Sequence, residues 1–229
     1  MQKVEQETTT KMTSDIDYGF GVKYEKFILQ KIIKEIVFHR RIRTVCEYPA
    51  NNLMGNNSEI FDNLGCTTRR MKTLHATKIK HDLVWNFCEF ENTNNPEKMI
   101  EDMLNLSSSY IFIVTQNNKN LGVRLHLLYH LLNGRKWNHG TIKSMSYGAV
   151  MKPLTKFSVE IVNYGWFDVP WFILDVYEMG QTINRVTHGK FVDNSDLKES
   201  RFEGLPNSIK SSLSHHFYVL AKKKPARQD

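Results

Sequence analysis

The chain has 229 residues, of which 41% are hydrophobic, 24% charged and 11% aromatic. That composition excludes wholesale disorder, and the length supports a core that needs no disulfide or metal staple. Three cysteines (Cys46, Cys66, Cys88) are too few and too scattered for a secreted disulfide framework, and they lack the paired spacing of a zinc site. Lys and Arg outnumber Asp and Glu by 31 to 24, a net charge of +7. The excess is spread over His39-Arg40-Arg41, Arg69-Arg70, Lys78 to Lys80 and the tail Lys222-Lys223-Lys224. Charge distributed in this way permits nucleic acid as a partner without favouring it.

The polar stretch from Met1 to Asp15 reads as a flexible N-terminal arm ahead of a single domain over 16–229. It is no signal peptide, and no apolar run approaches the length of a membrane span, so a cytoplasmic protein without a membrane partner is expected. A helix fits Tyr24 to Phe38, where Tyr24, Phe27, Ile28, Ile32, Ile36 and Val37 fall near one face. Ile42 to Glu47 is a short strand-like run ending in an acid. Pro49 and the Asn-rich segment Asn51 to Asn57 break it, and Asn57 or Ser58 caps a short helix that Gly65 stops.

His81 to Phe87 reads as a buried strand. Pro96 opens an amphipathic helix to Leu106, closed by Ser107-Ser108-Ser109. Tyr110 to Val114 is a continuous apolar run after a helix, the mark of a central parallel strand covered on both faces. A helix follows from Val123 to Leu132, read as a packing helix from Leu127, Leu128, Leu131 and Leu132. A strand is expected over Lys156 to Asn163, a helix over Ile209 to Leu213, and a terminal strand over His216 to Ala221. Alternation of strand and helix predicts the α/β class, with an open, mostly parallel sheet and flanking helices.

Four of these segments, in this order, resemble the class I S-adenosylmethionine-dependent methyltransferases. They are Thr44-Val45-Cys46-Glu47, the strand Asp82 to Asn86 leading into Asn94-Asn95-Pro96, the strand Tyr110 to Val114 with Thr115-Gln116-Asn117, and the ending His215 to Lys223. The last is similar to the family's final, antiparallel-inserted strand. The resemblance implies a Rossmann-like sheet that binds S-adenosylmethionine outside the carboxyl ends of its strands. It implies Glu47 beside the methionine half of the cofactor, Asn51 in the loop beneath it, and Asn86 and Phe87 on the adenine side. Trp137, Tyr164, Trp166 and Trp171 would face an unidentified methyl acceptor, with His139 as the candidate acid or base.

Two departures from the family pattern carry structural consequences. Pro49, Asn51 and Leu53 stand where the family has Gly-x-Gly-x-Gly, and Cys66 to His81 is too short for a second strand, a crossover helix and a third strand. A reduced first half is therefore expected, and no acid between Asp62 and Asp82 is available for the ribose hydroxyls.

Plainer readings stand beside these. Glu47 is also what a solvated strand end looks like, and clustered Asn is turn chemistry. His126 and His130 have the spacing of two ligands on one helix face, yet they sit among leucines, so no metal is expected. The aromatic run Asn163 to Phe172 reads equally as a patch packed on the sheet or on a second copy in a homodimer. The alternative function is a methyltransferase-like fold without catalysis, binding a protein partner or nucleic acid.

Overall fold

The computed structural model describes residues 20–50, 58–74, 79–134, 136–137, 140–168 and 201–225. Six strands form one sheet: β1 (Thr44–Glu47), β2 (Thr67–Arg70), β3 (His81–Phe87), β4 (Ser107–Gln116), β5 (Val159–Phe167) and β6 (His216–Lys223), in the order β2-β1-β3-β4-β6-β5. β1 to β4 pair in parallel, and β6 inserts antiparallel between β4 and β5. Every strand except β6 therefore points the same way, which is the open, mostly parallel α/β sheet expected.

Among the described residues six helices accompany it: α1 (Phe20–Arg40), α2 (Glu59–Asp62), α3 (Pro96–Leu106), α4 (Leu121–Leu132), α5 (Tyr147–Leu154) and α6 (Asn207–Leu213). One face of the sheet packs against α1 and α2, with Leu29, Ile33, Phe61, Trp85, Phe112 and Leu220 in that core. The other packs against α3 and α5 through Ile100, Met103, Val84, Ile111, Val150 and Val219. Alternation along β4 sends Phe112 and Val114 to the first core and Ile111 and Ile113 to the second. Ile111 to Val114 are buried on both faces, which is why this run reads as continuously apolar.

Local chemistry explains the helix boundaries. Asn95 caps α3 by accepting from the Lys98 N–H at 3.0 Å, and Pro96 occupies the first turn, where its missing N–H costs nothing. Ser107 to Ser109 already belong to β4 instead of forming a loop, so helix passes directly into strand. Gly65, at φ +80, ends the turn after α2, and Gly134, at φ +63, follows α4. Leu127, Leu128, Leu131 and Leu132 of α4 are exposed, the last two by three quarters. The expectation that they pack is thereby corrected.

Two elements escape sequence inspection. β2 is four mostly exposed residues, Thr-Thr-Arg-Arg, paired only to β1, and an edge strand of that kind has no apolar signature. α5 carries Pro153 in its last turn, and Ser146 caps it by accepting from the Ala149 N–H at 3.1 Å. Among the described residues no strand lies beyond β2 at that edge of the sheet, so the first half is reduced as its length implied. No helix among them is long and apolar enough to cross a membrane. The N-terminal arm lies outside the described residues.

Candidate functional site

The chain runs outward from β1 to β2 and then returns to the other side of β1 to lay down β3 and β4. Direction reverses once here, between β1 and β3, and in open α/β sheets the ligand crevice opens at the carboxyl ends of the strands at such a point. Glu47 ends β1, Arg70 ends β2 opposite it in register, and Asn86 stands next to the end of β3.

Glu47 is buried and held by three hydrogen bonds from two residues. Arg70 Nε donates to its Oε2 at 2.8 Å, Arg70 Nη2 to its Oε1 at 3.3 Å, and the Ser58 hydroxyl also donates to Oε2. Ser58 thus spends its hydroxyl on Glu47 and makes no side-chain cap on α2. Backbone bonds fix the floor: the Tyr48 N–H donates to Trp85 O at 2.9 Å, the Ala50 N–H to Met71 O at 2.7 Å, and the Met71 N–H to Glu47 O at 3.0 Å. The Tyr48–Pro49 peptide is cis. Asn86 donates through Nδ2 to Tyr48 O at 3.2 Å, while its Oδ1 is buried and has no hydrogen-bond partner among the described residues. An acceptor left in that state costs about 1–3 kcal/mol until something donates to it.

A cleft of about 270 Å³ opens beside Tyr48, Pro49, Glu89, Asn92, Asn95 and Lys98. Its inner wall is polar: the Tyr48 hydroxyl donates to Asp102 Oδ2 at 2.9 Å, and Lys98 Nζ stands 2.9 Å from Asp102 Oδ1. Burial, reinforced by the bond to Asp102, pushes the Tyr48 phenol up to about 12, so it remains a donor at neutral pH.

A second, wider cavity of about 400 Å³ lies between the end of β4, α5, β5 and α6, lined by Asn117, Lys119, Tyr147, Tyr164, Trp166 and Ser211 among others. The Tyr147 ring is 5.6 Å from Tyr164 and 5.3 Å from Trp166, and Tyr164 and Trp166 stand edge to face at 5.9 Å. Gly165 between them lets the Tyr218 ring approach the backbone, where a Cβ would come within 2.9 Å of it.

Glu47 and Asn86 stand near the carboxyl ends of the adjacent strands β1 and β3 with their side chains on opposite faces, Glu47 on the face of Trp85 and Asn86 on that of Val84, whereas Tyr164 and Trp166 line one cavity. Phe87 points to the opposite face from Asn86, into the α1-side core, 5.8 Å from Trp85 and 6.2 Å from His216. Trp137 packs edge-on against His130 at 5.5 Å and donates to Gly140 O at 2.8 Å. His130 is buried with Nδ1 3.1 Å from Lys136 O, a satisfied core histidine. Asn51, His139 and Trp171 lie outside the described residues.

Sequence inspection missed Arg70, Ser58, Tyr147 and Asp102, and no signal short of the strand pairing could have put Arg70 on Glu47. It also missed Glu91, buried under the Thr115 hydroxyl, which donates to it at 2.5 Å; burial raises its carboxyl above the usual range. A further buried group comprises Glu25, Asp168, His215 and His216.

The strand order, with a last strand inserted antiparallel, defines the class: a methyltransferase-like Rossmann fold that stops at β2. No protein-family model matches the chain, and no curated protein matches it. Among solved structures it is similar to the plantazolicin methyltransferase BpumL in complex with a pentazolic desmethylPZN analog and SAH, at 11% identity over 88% of this chain and 86% of that one, TM-score 0.47. It is also similar to magnesium protoporphyrin IX methyltransferase (ChlM) from Synechocystis PCC 6803 with bound SAH, at 9% identity over 88% and 84%, TM-score 0.48. The [4+2]-cyclase SpnF is another, at 9% identity over 85% and 81%, TM-score 0.47. At these identities the likeness concerns the fold.

Proposed function

We propose that the protein binds S-adenosylmethionine in the crevice between β1 and β3 and methylates an acceptor seated on the aromatic side of the sheet. The observation that supports this reading is the topological switch between β1 and β3, with Glu47 and Arg70 paired at the ends of β1 and β2 and Asn86, whose Oδ1 is unpartnered among the described residues, near the end of β3. The cofactor supplies an electrophilic methyl group on a sulfonium. Arg70 would donate to the ribose oxygens while Glu47 keeps it oriented, and Asn86 would accept from the adenine. Tyr147, Tyr164 and Trp166 offer π faces to a planar acceptor and shed water from it. Methyl transfer of this kind depends mainly on alignment of the two reactants, so few side chains need take part.

One observation favours the second reading, a fold that binds a partner without catalysis. Arg70 and Glu47 already satisfy each other. Thermal unfolding with S-adenosylhomocysteine separates the two. At about 100 times the dissociation constant, bound ligand adds about 2.7 kcal/mol, a clear rise in Tm that Asn86→Leu abolishes. A wild-type Tm indifferent to millimolar ligand selects the second reading.

A further inference from the structure

Four ionisable side chains outside the β1–β3 crevice converge elsewhere. Glu25 comes from α1, Asp168 follows β5, and His215 and His216 lead into β6; one donor atom from each lies within 4.8 Å of the other three. Because His216 pairs with Gln116 at the end of β4 and Phe167 at the end of β5, the group sits at the carboxyl edge of the parallel strands. Glu25, Asp168 and His216 are buried, and His215, with 20% of its side chain exposed, is the way in from solvent.

The scaffold around the group is rigid. His216 is flanked by the rings of Phe87 at 6.2 Å and Phe167 at 5.5 Å. The His215 N–H donates to Asp168 O at 2.8 Å, and the Asn117 N–H donates to His215 O at 2.7 Å. Asp168 itself adopts φ 60, a conformation open to Asp at modest cost.

Two buried carboxylates need compensating positive charge. Asp168 Oδ1 is buried and unpartnered among the described residues. Both imidazole Nδ1 atoms stand 3.3 Å from the same oxygen, Asp168 Oδ2. That is longer than a charge-assisted N–H···O bond of about 2.7–2.9 Å. It equals the edge, about 3.3–3.4 Å, of a tetrahedron whose arms are the ~2.0–2.1 Å zinc–nitrogen and zinc–oxygen bonds.

We propose that Glu25, Asp168, His215 and His216 bind a first-row divalent metal ion of the zinc type. Two imidazole nitrogens with two carboxylates suit zinc or cobalt, whereas magnesium and calcium take oxygen alone. The two carboxylates balance a divalent charge, which removes the electrostatic cost of burying them together. On binding, each Nδ1 offers its lone pair to the ion and its proton moves to Nε2 or to solvent, so hydrogen bonds to Asp168 are exchanged for metal bonds. None of the four residues belongs to the crevice assigned to S-adenosylmethionine, and the two sites stand or fall separately.

The test is calorimetric titration of the chelator-stripped full chain with Zn²⁺, and with Co²⁺ followed by visible absorption. The expected result is one equivalent of either ion and the intense visible bands of a four-coordinate Co²⁺ site. Asp168→Asn and His215→Asn should each weaken binding by about tenfold or more. His215, at the rim, is the substitution that leaves the core untouched, so it decides the matter should Asp168→Asn not fold. Absence of a stoichiometric ion, or wild-type affinity in His215→Asn, overturns the site and leaves a hydrogen-bonded His–Asp–His cluster.

Discussion

His81 opens β3 with both ring nitrogens buried and unpartnered among the described residues. Burial lowers its pKa below the ordinary 6.5, so the folded chain keeps the ring neutral while the unfolded chain protonates first. Its contribution is therefore intact above about pH 6.5 and is lost as the pH falls from there through the lower folded value. Urea unfolding at about pH 7 and about pH 5 should reveal that loss, and His81→Phe, which removes the buried nitrogens, should shrink it. At Glu47, Arg70 is 30% exposed but the carboxylate it pairs with is buried, so Arg70→Ala leaves a buried charge short of its partner and should cost about 1–3 kcal/mol. The three cysteines make a contrasting point. All are buried and free, and burial raises each thiol, Cys46 to about 11. A thiol reagent should leave the native protein unlabelled and modify all three after denaturation; rapid native labelling of Cys46 or Cys88 would contradict their placement.

At the scale of elements, α3 is the clearest case of local chemistry deciding a boundary. Asn95→Ala removes the acceptor for the Lys98 N–H and should cost about 1 kcal/mol in chemical denaturation. What could be read from the sequence follows the same logic. β3, α3 and the centre of β4 were legible because Pro96, the helical spacing of Met99, Ile100 and Met103, and the apolar run Ile111 to Val114 are signals contained within each element. β2 was not, since Thr67 to Arg70 becomes a strand only through its pairing with β1. The leucines of α4 misled for the opposite reason: their spacing says helix, while only the tertiary arrangement says which side faces water. The candidate site divides in the same way. Glu47 and Asn86 were recognisable as strand-end residues, but the pairing of Arg70 with Glu47 and the meeting of Glu25 with Asp168 and His216 depend on contacts between distant segments.

For the molecule as a whole, the sheet of the described residues ends at β2, and the Glu47–Arg70 ion pair stands at the ends of β1 and β2, beside the switch point where the proposed cofactor crevice opens. The account turns on whether that crevice still takes the cofactor its topology implies. Calorimetric titration of the wild-type chain with S-adenosylmethionine is the most direct measurement. The account predicts saturable binding at one site, weakened in Asn86→Leu and in Arg70→Ala beyond what their losses of stability explain. Absence of heat at millimolar cofactor from a fully folded protein would contradict it, and would mean that the Glu47–Arg70 pair has closed the crevice for good.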